Sequence, residues 1–104
     1  MTLVHLKMDN CNFNTTITAQ KIGEFEVRIS IQSECDSIQS LQKTIERVSL
    51  HDIWSRRPPL NLECHSKLKH PSCAFPIALA KAVEVELGLA LPGEIMVKSE
   101  KVDG

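Results

Sequence analysis

Polar and apolar residues alternate three times in the first third of the chain. Residues 2–8 (TLVHLKM) set Leu3, His5 and Lys7 on one side and Val4, Leu6 and Met8 on the other. Residues 13–19 (FNTTITA) put Phe13, Thr15, Ile17 and Ala19 on a common face. Residues 25–31 do the same for Phe25, Val27, Ile29 and Ile31, with Glu26, Arg28 and Ser30 opposite. A period of two marks a half-buried strand. Asp9, Asn10, Cys11 and Asn12 read as a first turn, because Asn and Asp bond their own backbone and tolerate left-handed geometry. Lys21-Ile22-Gly23 reads as a second. Three such strands predict an antiparallel meander with one dry face.

Beyond Cys35 the period lengthens. Ser37 can cap a helix, with Asp36 favouring its N-terminus. Ile38, Leu41, Ile45 and Val48 then follow at spacings of three and four, an amphipathic helical stripe. Residues 51–54 suit a short helical turn, with Trp54 a lid on the core, and Arg56-Arg57-Pro58-Pro59 starts a loop. Residues 60–69 suit a loop or a short helix. Residues 72–87 predict a second main helix, because Pro76 is tolerated in a first turn and Gly88 is a natural stop. Ile77 to Val83 is apolar on most sides, so this helix is expected to be buried. Residues 94–98 suit a short closing strand. The order predicts a single α+β domain over residues 1–104: an antiparallel three- to four-stranded sheet, arranged as a meander, with two main helices packed on one face.

Composition narrows the function classes. The chain has 104 residues, 42% hydrophobic, which is enough for one core and rules out general disorder. A net charge of -1 and 4% aromatic residues, with no Tyr, argue against a nucleic-acid partner. No apolar run approaches the ~20 residues that span a bilayer. The first ten residues lack the basic start and apolar stretch of a secretory signal, so a cytoplasmic location is expected.

Four cysteines then carry the chemical interest. In a cytoplasmic protein they are not expected to persist as disulfides. Cys11, Cys35, Cys64 and Cys73 form no Cys-x-x-Cys pair, so any shared site must be assembled by the fold from separate segments. All four fall at predicted junctions. Cys11 is in the first turn, Cys35 follows the third strand, Cys64 is in the loop region, and Cys73 is at the start of the second main helix. If the outer strands pair, Cys11 and Cys35 can meet at one edge. A helix N-terminus favours thiolate, the form that binds metal or attacks as a nucleophile, which singles out Cys73. His70 and Cys73 make a His-x-x-Cys spacing that suits two ligands of one ion. His5 and His51 are peripheral by comparison, and His65, adjacent to Cys64, is less suited to serve beside it. A Cys₃His or Cys₄ set suits tetrahedral zinc, and thiolates also hold iron–sulfur clusters. The opposing reading is that free cysteine simply packs. Arg56-Arg57 is most simply an exposed loop pair, and Lys81, Glu84 and Glu86 a solvated helix edge. No phosphate-binding glycine loop, Ser/His/Asp signature or zinc-protease helix is present.

Four pieces carry a resemblance: Cys11-Asn12-Phe13, Ser33-Glu34-Cys35, the run HPSCAFP from His70 to Pro76, and KAVEVELGLALP from Lys81 to Pro92. On these the chain resembles a family of short cysteine-containing proteins of methanogenic archaea and anaerobic bacteria, grouped as a domain of unknown function. The resemblance implies Gly after the first cysteine and Pro after the cysteine that Cys73 matches, where this chain has Asn12 and Ala74. The order of cysteines is similar, more loosely, to the TSCPD domain of ribonucleotide reductases. That resemblance implies a metal held by Cys11, Cys35, Cys64 and Cys73; His70 can replace Cys64.

The leading expectation is a small metal-binding module, with zinc ahead of an iron–sulfur cluster. The alternative is a protein–protein interaction module whose cysteines are packed and metal-free. The third is a thiol enzyme with Cys73 as nucleophile and His70 as base. An open sheet edge, or the apolar run from Leu87 to Leu91, can support a protein partner or a homodimer.

Overall fold

The computed structural model describes residues 1–8, 13–54 and 74–102. It is an α+β fold built on an antiparallel four-stranded sheet in the order β1-β2-β3-β4. Strand β1 is Thr2–Met8, β2 is Phe13–Gly23, β3 is Glu26–Ser33 and β4 is Arg47–Ser49. Helix α1 (Asp36–Gln39) runs into a 3-10 turn (Ser40–Lys43); α2 is Leu50–Trp54 and α3 is Phe75–Glu86.

The period-two pattern chooses the buried face. Ile17 pairs with Val4 on one side and Ile31 on the other, and Ala19 pairs with Thr2 and Ile29, so one face collects the apolar residues of every strand. Thr15, Ile17, Ala19, Val27, Ile29, Ile31 and Val48 are buried there. Leu3, His5 and Lys7 face solvent on the opposite side. Helix α3 packs on β1 and β2, and α1 with its 3-10 turn packs on β3. The core joins Ile38, Leu41 and Ile45 to Phe75, Leu79, Ala82 and Val83.

Four expectations are corrected. The hairpin turn is Glu24-Phe25 rather than Lys21-Ile22-Gly23, since Gly23 still pairs with Glu26 and Lys21 with Val27, leaving Ile22 as an extra residue in the ladder. A shift of two keeps side-chain parity, so the buried face survives, but Phe25 moves into the turn and is exposed.

The helix expected from Ser37 through Val48 is broken. It stops after Lys43, and Val48 lies in β4 opposite Val27. All four stripe residues are nonetheless buried. A continuous helix would leave the outer edge of β3 without partners. The observed path covers it: Ile29 donates its N–H to the Glu46 carbonyl at 2.9 Å, and two glutamine side chains complete the edge. Gln42 accepts from the Ile31 N–H, and its amide donates to the Ile29 carbonyl at 3.0 Å. Gln39 accepts from the Ser33 N–H at 2.8 Å and donates to the Ile31 carbonyl at 3.1 Å. Each amide stands in for a peptide group of a missing strand. The β-branched residues Thr44, Ile45 and Val48 also prefer extended structure.

Helix α3 buries one face only: Phe75, Ala78, Leu79, Ala82 and Val83 are inside, whereas Ile77 is exposed. Its first turn accepts Pro76, and Gly88 ends it at a φ of 76°, as the sequence predicts. Residues 94–98 form no strand; residues 91–102 lack regular structure and are exposed. The expected turn at 9–12, the loop at 56–59, the segment 60–69 and Ser72-Cys73 lie outside the described residues.

Candidate functional site

Cys35 is the one predicted ligand within the described residues; Cys11, Cys64, His70 and Cys73 lie outside them. Cys35 is a free thiol, 8% exposed, at the margin of the core. Its backbone is held on both sides. The Cys35 N–H donates to Ser33 Oγ at 3.1 Å, and the Gln39 N–H donates to the Cys35 carbonyl at 2.9 Å. Ser33 Oγ also bonds Thr15 Oγ1 at 2.7 Å, which satisfies the one buried polar side chain of β2. Just before Cys35 the ladder closes twice. The Glu34 N–H donates to the Asn14 carbonyl at 3.2 Å, and the Asn14 N–H donates to Glu34 Oε1 at 2.9 Å. A thiol on so fixed a backbone has little freedom to move, which suits either close packing or preorganised ligation.

The same end of the sheet gathers other chain ends. Met8 and Phe13 are paired there, at the finish of β1 and the start of β2. Helix α3 is oriented by a clamp at the opposite end. Glu86 Oε1 accepts from the Thr2 hydroxyl at 2.8 Å and lies 3.2 Å from the Met1 ammonium, while Oε2 accepts from the Lys21 N–H at 2.8 Å. The ladder of β1 with β2 stops at Thr2 opposite Ala19, so the carboxylate supplies the partner that Lys21 lacks. The 12-residue helix is ~18 Å long and packs mainly on β1 and β2.

Glu86 was read from sequence as part of a solvated edge; instead its side chain is 10% exposed. Burial, the largest single influence, raises its pKa. The bonds from Lys21, Thr2 and the Met1 ammonium outweigh it and hold the carboxyl below its ordinary 4.5. No sequence pattern announces this clamp, because its partners are 84 and 65 residues away. His5 and His51 are exposed, as expected; His5 Nδ1 is 3.4 Å from Thr16 Oγ1. Among the described residues no group of three or more His, Cys, Asp or Glu side chains is arranged to hold a metal, and no helix is long and apolar enough to cross a membrane.

A family model described as a family of unknown function, DUF6951, matches residues 2–99. The chain belongs to DUF6951. The DUF6951 match spans all four strands, α1 to α3, and the positions of all four cysteines and His70. No curated protein and no solved structure matches the chain.

Proposed function

We propose that this chain is a small metal-binding module in which Cys11, Cys35 and Cys73 are ligands and Cys64 or His70 is the fourth. Zinc is the first choice and an iron–sulfur cluster the second. The observation that supports the reading is the set of chain ends at one end of the sheet. There β1 finishes at Met8, β2 starts at Phe13, and β3 passes through Ser33 into Cys35. Cys11 precedes Phe13 by two residues in the chain, and Cys73 precedes Phe75 by two. The donor chemistry agrees, since thiolates and imidazole are the usual ligands of structural zinc, and a filled tetrahedron makes the site structural. The loose likeness to the TSCPD domain points the same way.

The test is elemental analysis of anaerobically purified protein beside its visible spectrum. About one zinc per chain in colourless protein, or iron with matching sulfide in brown protein, supports the reading. Cys11→Ser with Cys73→Ser then loses the metal and much of the stability, because binding energy is folding energy in small metallo-domains. Comparing Cys64→Ser with His70→Ala identifies the fourth ligand. Metal-free protein with four freely titrating thiols refutes it. One observation favours the alternative of a metal-free interaction module: the Cys35 side chain belongs to the apolar cluster with Ile31 and Ile38.

A further inference from the structure

Among the described residues no strand pairs with the outer edge of β1, and residues 91–102 carry exposed apolar side chains without regular structure. Met96 is 84% and Val97 87% exposed, and Leu91, Ile95 and Val102 are exposed with them. An open strand edge is a row of unpaired N–H and C=O groups, usually blunted by charge, proline or a bulge. Strand β1 contains no proline, pairs with β2 without a register shift, and has Lys7 as its one charged residue apart from His5. Among the described residues the chain thus carries both an unpaired edge and a strand-like segment that pairs with nothing.

We propose that residues 94–99 of one copy add to the β1 edge of a second copy as an antiparallel strand, and that the exchange is reciprocal, giving a two-fold dimer. The side chains select the register. With Glu94 opposite Lys7, Ile95 falls opposite Leu6, Met96 opposite His5, Val97 opposite Val4, Lys98 opposite Leu3 and Ser99 opposite Thr2. Facing residues of an antiparallel pair share a face. Ile95 and Val97 therefore extend the buried face beside Leu6 and Val4, which are only partly buried at the rim of the core. Met96 and Lys98 join Leu3 and His5 on the wet face, and Glu94 meets Lys7 with opposite charge. The parallel alignment that sets Ile95 beside Val4 brings Lys98 against Lys7 instead, a like-charge pair. Six residues match most of the seven-residue edge. Each copy offers one β1 edge and one donor segment, and a reciprocal two-fold exchange uses both.

The full-length protein, kept reduced, is examined by sedimentation equilibrium and by hydrogen exchange. The expected mass is that of two chains, with the Met96 and Val97 amides protected. Ile95→Asp with Val97→Asp halves the mass while leaving the circular dichroism of the protomer unchanged, since both side chains are exposed in it. Lys7→Glu weakens the dimer roughly tenfold, since two-fold symmetry doubles the charge clash, and adding Glu94→Lys restores it. A monomer at about 100 µM overturns the proposal, as does a dimer indifferent to Ile95→Asp with Val97→Asp. A monomer with protected Met96 and Val97 amides overturns it too, because the segment then pairs within its own chain.

Discussion

Replacing Gln42 tests the idea that side-chain amides finish the β3 edge. Gln42→Ala removes two part-buried bonds, to the Ile31 N–H and the Ile29 carbonyl. At ~0.5–1.5 kcal/mol per bond, the loss is about 1–3 kcal/mol. For a domain of this size each kcal/mol lowers Tm by roughly 4–8 °C. Gln42→Glu separates the two bonds chemically. It keeps an acceptor for Ile31 but sets a carboxylate oxygen against the Ile29 carbonyl, so it is destabilised at neutral pH. Protonation turns that oxygen into a donor. The carboxyl pKa is therefore raised in the folded state, and stability relative to wild type recovers as pH falls. The assay is denaturant unfolding of both variants at several pH values, with amide exchange followed residue by residue. The Ile31 amide should lose protection while Ile29, bonded to the Glu46 carbonyl, keeps it. Unchanged Ile31 protection in Gln42→Ala, or a pH-independent deficit in Gln42→Glu, would refute the reasoning.

Three other outcomes are expected. Because its bonds hold the Glu86 carboxyl below 4.5, Glu86 contributes stability that is complete above that pH and lost as pH falls through the lower folded value. The stability gap between wild type and Glu86→Gln should therefore narrow between pH 7 and pH 3, and a constant gap in urea midpoints would exclude the clamp. Phe75→Ala empties a fully buried aromatic site beneath α3 and should cost about 3–5 kcal/mol in denaturant unfolding, against less than 1 kcal/mol for the exposed Ile77→Ala. Gly88→Ala meets no neighbour within 4 Å, so its cost comes from φ alone, about 1 kcal/mol by thermal unfolding; no change would mean that the left-handed stop is not required.

The candidate site was legible in the sequence only as a list of donors. Cys35 was expected just after β3 and is there, but its burial and the Thr15–Ser33 bond that fixes its approach depend on pairing across 18 residues. The clamp on Glu86 was invisible for the same reason.

By itself the sequence determined the sheet's buried face, since alternation over β2 and β3 has a period that only a strand can use. It also determined that α3 forms and stops at Gly88, where local backbone geometry is imposed, although the helix begins at Phe75 rather than at residue 72. Tertiary structure decided the rest. The stripe from Ile38 to Val48 satisfies a helix in isolation, because periodicity reports burial and not hydrogen-bond partners. Only the presence of β3 beside it, with backbone groups to be matched, makes Gln39, Gln42 and β4 the better solution. Residues 94–98 have a strand's composition, but a strand also needs an edge to pair with, and among the described residues they pair with none.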